Sequence, residues 1–153
     1  MPPRINYAEA FPEGQKAMYG FAKAVHQSGL EHSLIQLVLT RASQINGCAW
    51  CLNMHTRDAI KAGEQPRRLH LLHAWRETPL YSERERAALA LTESMTLIAK
   101  TRQVPDDVYD AAAAQFNEHD LAALMLTIVE INTWNRLAIT AEKSPVLDQT
   151  LPG

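Results

Sequence analysis

Ser43-Gln44-Ile45-Asn46-Gly47-Cys48-Ala49-Trp50-Cys51-Leu52-Asn53-Met54-His55 ends one helical run and begins another. Upstream, from about Glu31, Leu34, Leu37, Val38 and Ile45 recur at helical spacing with Arg41 and Gln44 between them. Asn46-Gly47 interrupts that run as a helix end does, and a second helix reads from about Cys48 to Ala62, with Gly63 as its left-handed cap. The same punctuation extends outward. Pro12 opens a segment carrying Met18, Phe21, Ala22 and Val25, which Gly29 can close. Pro66 starts a shorter helix ending near Trp75. Ser82-Glu83-Arg84-Glu85 reads as a capping box for a long helix from Glu83 to about Lys100. Pro105 starts the next, and Asn117 caps the last, roughly Glu118 to Thr140. No convincing run alternates apolar and polar residues between turn signals, so strands are not expected. The fold class read here is all-α: a compact bundle of six or seven helices, one domain over residues 1–153. The tail after Lys143 reads as loose or packed on a neighbour.

Composition limits the functions on offer. Hydrophobic residues make up 46% of the 153-residue chain and charged ones 21%, a globular balance that argues against disorder. A net charge of -2, without a long Lys/Arg run, makes nucleic acid an unsuitable partner. The N-terminus lacks an apolar stretch of signal-peptide length and nothing approaches a membrane span, so a soluble, cytoplasmic protein is expected. In a reducing compartment two cysteines three residues apart are seldom a structural staple; catalysis or metal binding is the commoner use.

On a helix beginning at Cys48, Cys51 lies one turn on and His55 four residues beyond Cys51, so all three share nearly one face. Thiols so spaced can reach bonding distance. The helix start favours a thiolate at Cys48, and an imidazole near Cys51 can take or return its proton. Two buried cysteines packed as small hydrophobes would look the same in sequence. Zinc is a further alternative, with His26, His32, His70 or His73 as a fourth ligand, although no third cysteine exists for a closed site. Covalent haem requires histidine directly after the second cysteine, where Leu52 stands. A thioredoxin motif should follow a strand. Neither a cofactor nor a metal is called for.

At these residues the sequence strongly resembles the carboxymuconolactone decarboxylase-like superfamily, in its alkylhydroperoxidase D (AhpD-like) branch. The match runs through Ser43 to Cys51, Met54-His55, Asp58, Ala59 and Gly63. It continues in Glu83 to Leu89 with Thr92-Glu93, and in Ile131-Asn132-Thr133-Trp134-Asn135-Arg136. The resemblance implies an all-α fold assembled as a trimer or hexamer. It implies a peroxidase in which one thiolate becomes a sulfenic acid and its neighbour traps it as a disulfide. It assigns attack to Cys51 and resolution to Cys48; elementary chemistry leaves the order open, since the helix terminus favours Cys48 and the histidine favours Cys51.

One position departs from the family pattern. The glutamate that serves a proton relay with the histidine, twelve residues before the first cysteine, is Gln36 here, and an amide can hold a water but cannot take up a proton. Glu93, one helical turn from Leu89 and Leu97, is the candidate replacement, with desolvation expected to raise its pKa. A water-facing strip of Thr92, Glu93, Thr96 and Lys100 is the alternative. Glu85 is explained by its cap, and Trp134 reads best as core. The expected function is reduction of hydrogen peroxide or organic hydroperoxides, with a dihydrolipoamide-type dithiol or another thiol as reductant. A disulfide reductase or redox-sensing stress protein with weak peroxidase activity is the second reading, motivated by Gln36. Lactone decarboxylation is a third, which leaves both cysteines unexplained.

Overall fold

The computed structural model describes residues 2–145, and residues 146–153, most of the expected loose tail, lie outside them. The described chain is helical: α1 (Tyr7–Ala10), α2 (Pro12–His26), α3 (His32–Asn46), α4 (Ala49–Lys61), α5 (Pro66–Leu71), a 3-10 segment (Leu72–Glu77), α6 (Glu83–Thr96), α7 (Ile98–Thr101), α8 (Asp106–Gln115) and α9 (Glu118–Thr140). The seven longer α-helices are the seven that sequence periodicity predicts. Additional to them are α1 and α7, single turns too short to show a period, and the 3-10 segment.

Two boundaries differ from expectation. The helix starting at Pro66 ends at Leu71 and tightens into the 3-10 segment, broken by non-helical backbone at Ala74. Arg86 holds that segment by donating to the carbonyls of Trp75 and Thr78, each at 3.1 Å. The helix from Glu83 ends at Thr96 instead of near Lys100. Leu97 and Ile98 beyond it are exposed, so no buried face supports its continuation.

α3 is the centre of the bundle, packing on α4, α6 and α9. From Leu34 to Thr40 every residue is buried, as a helix surrounded by neighbours requires. One core joins Ile35, Val38 and Leu39 of α3 to Leu91 of α6 and Leu124, Ile128 and Ile131 of α9. A smaller one gathers Leu37, Leu72, Trp75, Tyr81 and Leu89 on the opposite side. Ser82 and Glu85 form the expected capping box, and the Asn117 side chain accepts from the Asp120 amide at 2.8 Å.

A partly buried polar network fixes the end of α3. Asn46 Nδ2 donates to Asn135 Oδ1 at 2.8 Å and to Asn132 Oδ1 at 3.0 Å, both on α9. Asn135, wholly buried, donates back to Ser43 Oγ at 3.0 Å, and Asn132 donates to Thr96 Oγ1 of α6 at 3.0 Å. Gly47 follows in the left-handed region (φ 71°), and the Cys48 amide returns to the Ser43 carbonyl at 3.0 Å. α4 therefore starts at a position set by α9.

A Cβ at Gly47 would meet nothing within 4 Å, so the conformation alone demands glycine there. Gly47→Ala should cost about 1 kcal/mol and lower Tm by about 2–4 °C; an unchanged melting curve would contradict this account.

Candidate active site

Cys48 is the N-cap of α4. Its sulfur accepts from the Cys51 amide at 3.3 Å, in the place usually filled by a serine or aspartate oxygen. The two cysteines are joined as a disulfide, with Cα atoms 5.4 Å apart, and both are buried. One turn further, His55 is buried too.

The two cysteines line different spaces. Cys51 and His55 line a cavity of about 350 Å³ with Tyr19, Met54, Trp50 and Trp134 around it. Cys48 borders a separate cavity of about 380 Å³ between Gly47, Ala138 and Ile139. Trp50 and Lys143 belong to both walls, and the Lys143 ammonium lies over the indole ring, 4.1 Å from its centroid. The three site residues thus lie on one helix and its cap, with Cys48 in the wall of one cavity and Cys51 and His55 in the wall of the other.

Gln36 of α3 is in the Cys51 cavity. Its amide nitrogen lies 3.3 Å from His32 Nε2, while its Oε1 is buried with no hydrogen bond from the described residues. Glu93 is placed elsewhere. Its carboxylate accepts from Arg41 Nε at 2.8 Å, from Trp75 Nε1 at 2.9 Å and from Arg76. Burial alone would push Glu93 up, but these donors outweigh it and hold its carboxyl below the usual range, so the expected raised pKa is corrected. Glu93 is not in the wall of the Cys51 cavity. It ties α3 and the 3-10 segment to α6. Nor is it part of a water-facing strip, because Thr92 and Thr96 are buried.

Besides Asp58, the wall that holds Cys51 and His55 contains a second carboxylate, Glu130, which the sequence reading missed. It is the one charged residue in the stretch Leu121–Ile131 of α9, which is apolar but for Thr127, and it is buried. Trp134, one turn on, donates to its Oε1 at 2.6 Å and stacks on Tyr19 with centroids 5.6 Å apart, so Trp134 is a cavity residue and not plain core. Oε2 of Glu130 is buried and receives no hydrogen bond from the described residues. Burial raises Glu130 to about 7 against the pull of Trp134. Burial lowers His55 to about 4, with Asp58 opposing and His26 assisting. At neutral pH the cavity therefore holds an uncharged imidazole and a carboxyl group near its midpoint.

The sequence profile of the carboxymuconolactone decarboxylase family matches residues 12–94, more than half of the chain. The chain belongs to that family. The Bacillus subtilis (strain 168) protein YdfG, itself uncharacterized, is 44% identical over 139 residues, covering 91% of this chain and 94% of its own. Among solved structures, ATU0492 from Agrobacterium tumefaciens superimposes with a TM-score of 0.91 at 40% identity, over 95% of this chain and 99% of that one. It is described as a protein of unknown function and a candidate AhpD antioxidant defence protein. A peroxidase-related protein from Silicibacter sp. TM1040 shares the fold at 20% identity, with a TM-score of 0.78 over 94% of this chain and 76% of its own. The AhpD-like all-α fold is thereby shown for this family member. Among the described residues no helix is long and apolar enough to cross a membrane.

The two perturbed groups act oppositely on stability. Glu130 holds its proton more tightly folded than unfolded, so its contribution is full below pH 4.5 and lost as pH rises through about 7. His55 holds its proton less tightly when folded, so its contribution is full above pH 6.5 and lost as pH falls through about 4. Glu130→Gln removes the first effect. Relative to wild type, the variant should gain on the order of 3 kcal/mol between pH 4.5 and 7, read from urea midpoints. A difference that stays constant with pH would sink the assignment.

Proposed function

We propose that this protein is a thiol peroxidase that reduces hydrogen peroxide or organic hydroperoxides through Cys51 and Cys48. The observation that carries the reading is a cysteine pair joined at a helix start, one sulfur of which shares a cavity with a buried neutral imidazole. In the reduced enzyme the Cys51 thiolate attacks the peroxide and is left as a sulfenic acid. Cys48, three residues away, displaces water from it and closes the disulfide. The aromatic wall of the Cys51 cavity suits an organic hydroperoxide.

Recycling requires a thiol. Thiol–disulfide exchange puts three sulfurs nearly in line, so attack on Cys48 comes from the side opposite Cys51. The separate cavity at Cys48 supplies an approach of that kind for a dihydrolipoamide-type dithiol or another thiol donor. We further assign a homo-oligomer, trimer or hexamer, supported by the exposed apolar residues Met125, Leu126 and Val129 on α9.

A disulfide reductase or redox sensor with weak peroxidase activity is the second reading, since Gln36 brings no acid to the cavity. A large gain in turnover in Gln36→Glu would favour it.

Cys51→Ser should lower steady peroxide consumption with a dithiol by about a thousandfold or more. Cys48→Ser should keep one turnover and leave a sulfenic acid on Cys51 that dimedone captures. Consumption that persists in Cys51→Ser would refute the proposal.

A further inference from the structure

The peroxidase reading leaves one group in the Cys51 cavity without a task. Three buried oxygens there, Oε1 of Gln15, Oε1 of Gln36 and Oε2 of Glu130, receive no hydrogen bond from the described residues. Buried polar atoms rarely stay unpartnered, and three around one cavity mark a place for a molecule that brings its own O–H. Only the oxygen of Glu130 belongs to an acid. Trp134 fixes the carboxyl from its own helix and leaves Oε2 as the atom still free to act.

We propose that Glu130 is the general acid of the peroxidase reaction, giving its proton from Oε2 to the oxygen that departs when the O–O bond breaks. The inference rests on the peroxidase reading. It gives the cavity the acid that Gln36 does not provide.

The Cys51 thiol passes its proton to neutral His55, and the thiolate attacks the outer oxygen of ROOH. An S–O bond forms, the O–O bond breaks and RO⁻ departs with the electron pair. Glu130 protonates RO⁻ to ROH, and the proton held by His55 returns to the Glu130 carboxylate. The sum is Cys51–SH plus ROOH giving Cys51–SOH plus ROH, with both proton carriers restored. His55, lowered to about 4, is uncharged at neutral pH, so it enters the step as a base and brings no proton of its own for the leaving oxygen. Glu130, raised to about 7, holds one about half the time. The other titratable or charged groups facing the cavity are Tyr7 and Tyr19, with His26 of α2, Asp58 of α4 and Lys143 after α9. Tyr7 is shifted upward and His26 downward, away from an acid's role at neutral pH.

The test varies the leaving group. tert-Butyl hydroperoxide expels a strongly basic alkoxide that needs a proton, whereas peracetic acid expels acetate, which does not. With dithiothreitol as reductant at pH 7, Glu130→Gln should lose about a hundredfold or more in kcat/KM for tert-butyl hydroperoxide and less than about tenfold for peracetic acid. Adding Gln36→Glu to that variant, which returns an acid from across the cavity, should recover part of the loss for the alkyl peroxide alone. Equal losses on both oxidants in a protein that melts like the wild type would overturn the role of Glu130 and leave the peroxidase reading intact. If Glu130→Gln melts lower, Glu130→Asp, which keeps an acid at the site, is compared with it: turnover regained over Glu130→Gln for tert-butyl hydroperoxide but not for peracetic acid supports the role, and equal change on both oxidants overturns it. A wild-type protein inactive on both oxidants overturns the peroxidase reading and this inference together.

Discussion

The structure depends on a small set of polar side chains, three amides and a serine hydroxyl, held between three helices. Ser43, Asn46, Asn132 and Asn135 satisfy one another across the end of α3, the middle of α9 and, through Thr96, the end of α6. Such a network is stable only when complete, because each amide left unpaired in the interior would cost about 1–3 kcal/mol. It therefore admits one register of α9 against α3. That register sets where Gly47 turns, where α4 begins and which side chains of α9 face the cysteines. Without it, Glu130 would have no fixed relation to Cys51.

The candidate site is arranged by helix ends and burial more than by ion pairs. The ion pairs do mechanical work elsewhere. Glu93 collects Arg41, Arg76 and Trp75 and fastens the 3-10 segment, while Arg84 reaches Glu31, Asp120 and the ring of Phe116. In the cavity, by contrast, burial outweighs the pull of Asp58 on His55 and of Trp134 on Glu130 and brings both toward their uncharged forms.

Much of this was legible in the sequence, and the exceptions have physical reasons. Caps, prolines and helical spacing mark the seven longer helices, since each is a local property of a few neighbouring residues. The single-turn helices α1 and α7 carry too few residues for any period. The cysteine pair and His55 were readable because their relation lies along one helix. Glu93 was misjudged because spacing shows only the face on which a carboxylate lies. Its fate was decided by Arg41, 52 residues upstream, and by Trp75 and Arg76 on another segment. Glu130 did leave a trace: a lone acid inside the apolar run Leu121–Ile131 with a tryptophan four residues later. Such an acid must be buried or face an interface, and only the packing of α9 against α2 and α4 selects the cavity.

The sulfur that caps α4 gives the redox state a mechanical side. As half of a disulfide it is a weak, neutral acceptor for the Cys51 amide. As a thiolate it would place a full negative charge at the positive end of the same helix. Under the proposed function, gaining electrons would tighten the first turn of α4 and losing them would slacken it, at the very turn that keeps the two sulfurs within reach.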